Sequence, residues 1–257
     1  MKEPPGQSPD VDPAAALTDA DYVNYPGGVR SGWGRSEFLQ IVRHRFDEIT
    51  LETPLDRLTF WFAVVGAPWR HEWEGANFSG MSRQEEDTRA DAIADGMAVA
   101  RRGEPRFYLT GYQPDAGGGW TGVQQGRGGD ETRVYDHEAI IISREQYEDA
   151  RFSGHWFEPT VRGTILLAAA LLPRYHPELK AIAMAWRLAN PKRVPMLVND
   201  KINHPHVFPP GSEETPVISG IVPTAVLLSD PLTVAKRQQQ QFIRTVSTRY
   251  NVPPNLE

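Results

Sequence analysis

The sequence predicts an α+β fold in which a largely antiparallel sheet packs against several helices. Some segments have the aromatic and β-branched composition of buried strands, as residues 57–65 (RLTFWFAVV) do, while others carry apolar residues at helical spacing. The two kinds of segment are mixed without the regular strand–helix alternation of a parallel sheet. A chain of 257 residues without cysteine is long enough to bury a core with no disulfide.

The composition divides the chain into two parts. Residues 1–33 are rich in Pro, Gly, Asp and Ala and show little periodicity, so we expect an irregular N-terminal arm. Residues 34–257 are expected to form a single α+β domain.

Helices are predicted where an apolar stripe follows a capping residue. Ser36 is the expected N-cap of the first helix, and Asp230 is the expected N-cap of the last one. Ser82 and Glu85 have the spacing of a capping box, which makes the second helix the clearest. The predicted helices cover residues 36–53, 82–103, 144–151 and 160–172 and the stretch that begins at Pro231.

Strands are predicted over residues 57–65, 106–113, 133–143, 194–198 and 217–228. Residues 180–188 (KAIAMAWRL) are compatible with two structures, because the alternation favours a strand while the Ala and Leu content favours a helix. Residues 114–130 contain seven glycines between two predicted strands, and we expect a mobile hairpin tip there.

The charge and the ends of the chain bear on where the protein acts and on what. The net charge is −6, which argues against direct nucleic-acid binding and suits a basic partner or simple solubility. The N-terminus lacks the apolar segment of a signal peptide, and the longest apolar run, residues 163–172, is half the ~20 residues of a membrane span. We therefore expect a cytoplasmic protein without membrane association.

The sequence contains no complete catalytic, metal-binding or cofactor-binding motif. We predict that the protein is not an enzyme and has no catalytic residue, metal or cofactor. His204 and His206, with Asp200 before them, make an incomplete set of metal ligands that we expect in a loop. They leave open a metal-dependent hydrolase built on these histidines and a nearby acid.

The second predicted helix carries the main candidate binding surface. Its apolar stripe consists of Ala90, Ile93, Met97 and Ala100. Asp87, Asp91 and Asp95 fall on the opposite side, where their i, i+4 spacing disfavours an isolated helix. Carboxylates retained at such a cost suit recognition of a basic protein, although a merely solvated face would look the same.

Two further segments carry residue types that are common at interfaces. Glu72 and Glu74 lie among tryptophans in residues 69–80, and Trp120 and Arg127 lie in the glycine-rich stretch. Trp and Arg are enriched at interface hot spots, so we include these four residues as candidate partner-binding residues.

Several segments together resemble the bacterial immunity proteins of polymorphic toxin systems, and among them the immunity protein 52 type. They are FWFAVVGAPW, the acid-rich helix, VYDHEAIIIS after the glycine-rich stretch, and SDPLTVAKRQQQQFIRTVSTRYN near the C-terminus. The resemblance covers most of the chain after about residue 30. Some members of that family accompany type VI secretion effectors.

The resemblance implies a function by binding rather than by catalysis. It implies an inhibitor that forms a one-to-one complex with a cognate secreted toxin, often a nuclease, and it supplies no catalytic residue to transfer. A structural adaptor of a secretion system is a further alternative to the hydrolase and the immunity protein.

Overall fold

The structure is a computed structural model of the chain. It describes residues 13–22, 34–51, 57–66, 83–107, 109–114, 120–124, 130–135, 138–147, 151–153, 157–189, 196–200, 204–208 and 215–250. Five helices lie in this part of the chain: α1 (Arg35–Leu51), α2 (Arg83–Gly103), α3 (Phe157–Tyr175), α4 (Thr224–Ser229) and α5 (Pro231–Tyr250). None of these helices has the length and apolarity that a membrane crossing requires.

Ten strands accompany them. They are β1 (Leu58–Val65), β2 (Leu109–Pro114), β3 (Trp120–Gln124), β4 (Glu131–Tyr135), β5 (Ile140–Tyr147), β6 (Arg151–Ser153), β7 (Ala181–Ala189), β8 (Met196–Asp200), β9 (His204–Phe208) and β10 (Thr215–Pro223).

Seven strands form one sheet in the order β10-β7-β1-β5-β4-β3-β2, and every neighbouring pair in it is antiparallel. A second sheet has the order β6-β8-β9, with β6 parallel to β8 and β8 antiparallel to β9. The predicted fold class is confirmed, because a largely antiparallel sheet packs against several helices.

Helices cover both faces of the large sheet. All eight side chains of β1 are buried, so neither face of the sheet is open to water at its centre. On one face, Phe60, Phe62 and Val64 belong to a core shared with α2, α3 and α5. On the other face, Trp61 and Ala63 belong to a core shared with α1. Burial on two sides therefore makes each helix layer part of the same folding unit.

The segment whose sequence was compatible with a strand or a helix, residues 180–188, forms strand β7. All nine residues of β7 are buried. Ile182, Met184, Trp186 and Leu188 pack in the core of α2, α3 and α5, while Ala181, Ala183 and Ala185 pack in the core of α1. The strand therefore presents small side chains to the core of α1 and large side chains to the core on the opposite face.

Aromatic rings join α3 and α5 to the sheet. The Phe242 ring of α5 lies 4.6 Å from the Trp186 ring, 4.7 Å from the Phe157 ring and 5.0 Å from the Phe60 ring, measured between centroids. Each pair meets edge to face, the arrangement that the ring quadrupoles favour. One side chain of α5 thus contacts two strands and α3.

A buried arginine joins α1 to the sheet. Arg187 on β7 is only 3% exposed. Its guanidinium donates to Asp47 Oδ1 at 2.5 Å and to the Thr50 hydroxyl, and it stacks over the Phe46 ring. A buried charge is tolerated only with such partners, so the bonds determine where α1 sits along β7.

Part of the N-terminal arm is ordered against the domain, which corrects our expectation for those residues. Pro13–Ala16 and Asp19–Tyr22 form two 3-10 turns, and Ala14 and Tyr22 are buried in the core of α1. Asp21 holds the second turn, because hydrogen bonds from Thr18 and the Lys180 ammonium lower the pKa of Asp21 to about 2. Apolar contacts from two short turns outweigh the irregular composition. The remaining residues of 1–33 lie outside the described residues.

Several local predictions are confirmed. α2 and α3 occupy their predicted positions, and β1 matches residues 57–65. Asp230 caps α5, since its Oδ1 accepts from Thr233 N at 3.0 Å. Hydrogen bonds from the Thr233 hydroxyl and from its backbone N–H lower the pKa of Asp230.

Other local predictions were wrong, mostly at element ends. α1 begins at Arg35, and the Glu37 carboxylate accepts from Gly34 N, so Ser36 is not the N-cap. The strand predicted over 133–143 is split into β4 and β5 by a turn in which Ala139 has a φ of 50°. β5 continues to Tyr147 where a helix was expected, and residues 224–228 are helical where a strand was expected.

The glycine-rich stretch contains a strand. β3 pairs with β2 on one side and with β4 on the other, with Trp120 opposite Pro114 and Val134. A mobile tip was predicted because glycine is depleted in strands, and the composition gives no indication that β3 pairs with β2 and β4. Removing residues 117–129 would therefore remove a strand of the large sheet rather than a connector.

A substitution at Gly163 tests how closely α3 packs against Phe107. A Cβ at this position would lie 2.0 Å from the Phe107 ring, which is itself buried. Helix propensity alone predicts that Gly163→Ala stabilises by about 1 kcal/mol, whereas the clash predicts a net loss of roughly 1–3 kcal/mol. Urea unfolding measures the difference, and Ala170→Gly on the same helix gives the propensity contribution alone. A Gly163→Ala protein as stable as the parent would contradict the packing.

Candidate functional site

The candidate site is the exposed side of α2, which α3 holds in place. The two helices are antiparallel: Tyr175 Oη donates to Arg89 O near one end, and Gly103 lies against Leu166 near the other. Between them, a Cβ at Gly96 would lie 2.8 Å from Leu171 Cδ2, so glycine permits the close approach. Ile93, Met97 and Ala100 are buried in the interface. The opposite side of α2 must therefore face water.

The three predicted aspartates lie on that side. Asp87, Asp91 and Asp95 are all exposed, as their spacing predicted. Asp95 Oδ2 pairs with Arg174 Nη1 of α3 at 3.2 Å, and both side chains remain largely exposed. Among the described residues, no hydrogen bond or ion pair engages Asp87 or Asp91. Two carboxylates on a fixed helix are thus available to a partner.

The other end of α2 is basic. Arg101 and Arg102 are exposed in its last turn. Just beyond them, Glu104 is 2% exposed and accepts from Arg106 Nε at 3.0 Å, with Arg162 Nη1 of α3 at 3.4 Å. Burial would raise the pKa of Glu104, but these bonds and charges lower it below its ordinary value. This ion cluster ties the chain after α2 to α3.

Of the remaining predicted binding residues, Trp120 alone lies in the part of the chain that the structure describes. Glu72, Glu74 and Arg127 lie outside the described residues. Trp120 begins β3 in the large sheet, whereas the principal partner of α2 is α3.

The two histidines lie on a strand rather than in the predicted loop. His204 and His206 belong to β9, and Asp200 of β8 is the register partner of His204. Pro205 lies within β9, opposite Asn199 of β8, and β9 is at the edge of its sheet, where a proline is tolerated. No group of three or more His, Asp or Glu positioned for a metal ion occurs among the described residues.

A series of buried, hydrogen-bonded polar side chains links β4, β5 and α3, and no sequence pattern had predicted it. Thr164 Oγ1 donates to Thr160 O, so Ser143 donates to Thr164 at 2.6 Å and Thr132 donates to Ser143 at 2.7 Å. The Thr160 hydroxyl donates to Glu145 Oε2 at 2.8 Å, and Glu145 is 2% exposed.

The chain of hydroxyls serves the fold. All five side chains are buried, so the chain joins α3 to β4 and β5 and offers no group to an external ligand. The available signal in the sequence was the i, i+4 pair Thr160 and Thr164 within an otherwise apolar helix.

Comparisons of the chain with family models, curated proteins and solved structures found no match.

The Glu104 cluster predicts a pH dependence of stability. The folded pKa of Glu104 is lowered, so on acidification the unfolded chain takes up the proton first and stability falls as the pH drops through the ordinary glutamate pKa of about 4.3. Glu104→Gln should flatten this part of the pH dependence, as measured by urea unfolding at several pH values. Arg106→Gln keeps the carboxylate without its main donor and should flatten it too. An unchanged slope in both variants would contradict the cluster's role.

Proposed function

We propose that this chain is an immunity protein that binds a cognate secreted antibacterial toxin and blocks it by occupying its surface. The observation that carries the proposal is the pair Asp87 and Asp91, exposed on a helix that α3 holds in place. Neither carboxylate has a hydrogen bond or ion pair among the described residues, so both are free for an external cation. Rigid carboxylates lose little entropy when a partner binds.

The charge supports a basic partner. The whole chain carries −6, and the acidic half of α2 concentrates part of that charge. A toxin that cleaves nucleic acid needs a basic surface to hold phosphate, and an acidic inhibitor is complementary to that surface. The sequence resemblance to immunity proteins points to the same class of partner. A protein with this role would act in the cytoplasm of the cell that it protects.

The carboxylates contribute in two ways under this proposal. Long-range attraction accelerates the encounter with a basic toxin, and short contacts with Lys or Arg orient the docked complex. The first effect weakens steeply as salt is added, while the second persists in part. Salt dependence therefore distinguishes an acidic interface from an apolar one.

The proposal predicts that a gene for a secreted toxin lies beside the gene for this chain, and the test uses the product of that gene. Co-expression of the wild-type protein should restore the growth of cells that produce the toxin. Asp87→Asn/Asp91→Asn should leave folding intact and lower the association rate constant about tenfold at low salt, with less effect at high salt. Surface plasmon resonance on the purified pair measures both.

The control changes the net charge equally at a distance from α2. Ala225→Lys/Thr233→Lys adds the same two charges at exposed positions of α4 and α5 and should bind nearly as the parent does. Equal association rates for the aspartate variant and the parent would refute the acidic interface. Failure of the wild-type protein to protect cells would refute the function.

A further inference from the structure

The exposed side of α2 has a charge pattern that is complementary to itself. Acidic residues dominate its first half, alanines occupy its middle with Asp95 at their edge, and basic residues occupy its last turn. The residues of this surface, which we call the α2 stripe, are Asp87, Asp91, Ala94, Ala98, Arg101 and Arg102, and all six are exposed. At 100° per residue they fall within about 100° of the helix circumference, so they form one continuous surface.

We propose that two copies of this chain associate through the α2 stripe, with the two helices antiparallel about a twofold axis. The axis passes between residues 94 and 95. Asp87 of one copy then lies opposite Arg102 of the second copy, and Arg101 lies opposite position 88, between the two carboxylates. The twofold axis repeats each contact, which is the property of an isologous interface.

The middle of the stripe suits a close helix crossing. Ala94 and Ala98 lie on either side of the axis and present only methyl groups. Val99 flanks them and is 37% exposed, one of three large apolar side chains with such exposure among the described residues. Small side chains at the crossing let two helices approach to about 8 Å. Asp95 lies beside the axis, and its pairing with Arg174 Nη1 of α3 at 3.2 Å offsets the repulsion between the two copies of Asp95.

The fold itself does not account for this pattern. The helix dipole favours acids in the first turn and bases in the last, but its effect does not extend to Asp91, which lies more than two turns inside α2. The i, i+4 repulsion between Asp87 and Asp91 disfavours the isolated helix. A second copy would turn this repulsion into attraction by placing arginines against both carboxylates.

The dimer is expected to be weak. A contact of one helix per copy buries less than the ~1,200 Å² at the lower end of standard stable interfaces, so we expect a weak dimer with a dissociation constant above the micromolar range. The charges lie at the edge of the contact, so the affinity should fall as salt is added. The dimer does not depend on the proposed toxin binding, but the two contacts would compete for Asp87 and Asp91 if both exist.

The dimer can be tested by reversing the charges at one end or the other of the α2 stripe. Sedimentation equilibrium of the wild-type protein up to about 1 mM should show a monomer–dimer equilibrium that shifts to monomer in high salt. Arg101→Glu/Arg102→Glu makes the stripe wholly acidic, and Asp87→Arg/Asp91→Arg makes it mostly basic. Each variant alone should dimerise at least about tenfold more weakly than the wild type, because like charges then meet at both ends.

A mixture of the two variants is the decisive measurement. An acidic stripe against a basic one restores opposite charges at both ends, so the equimolar mixture should form a heterodimer about as tight as the wild-type homodimer. Circular dichroism checks that both variants are folded, and restored association also excludes misfolding as the cause of the loss. A monomeric wild-type protein, variants that dimerise as the wild type does, or a mixture that remains monomeric would each overturn the proposal. None of these measurements involves the toxin, so their failure is separate from a failure of the proposed function.

Discussion

Burial of β1 and β7 on both sides is the constraint on which the rest of the structure depends. Every side chain of these two strands is buried, so the sheet requires a helix layer on each face. In β7, alanines face the core of α1, and Met184 and Trp186 face the core that α2, α3 and α5 form on the other side.

The polar contacts of the interior follow from this arrangement. Arg187 projects from β7 on the side of α1, where Thr50 and Asp47 accept from its two Nη atoms. On the other side, the hydroxyls of Ser143 and Thr164 join β5 to α3. Each layer therefore has apolar packing and at least one directional bond to the sheet. α2 lies on α3, so the α2 stripe is carried by a surface that the sheet holds in place.

Local sequence patterns predicted those parts of the fold whose signals are local. The helical spacing of Ile93 and Met97 and the capping residue Asp230 predicted α2 and the start of α5 correctly. β3 was missed because its strand character comes from pairing with β2 and β4, and its glycines suggest a loop. For β7, periodicity left two structures open, and only burial on both sides decides between them.

The same distinction applies to the candidate site. Exposure of Asp87, Asp91 and Asp95 follows from the period of one helix and was predictable. The pairing of Asp95 with Arg174, and of Glu104 with Arg162, joins residues that are distant in the chain, and no local pattern indicates it. The position of Arg101 and Arg102 on the same side as Asp87 and Asp91 follows from the same helical period.

Amide hydrogen exchange of the native protein tests most directly whether both helix layers fold as one unit with the sheet. If burial on two sides governs the fold, the slowest amides of α1, α2, β1 and β7 should exchange through the same global opening, with free energies that agree within about 1 kcal/mol. Increasing denaturant should affect them equally. Rapid exchange of all α1 or α2 amides while β1 and β7 remain protected would contradict the account, because that helix layer would then open independently of the sheet.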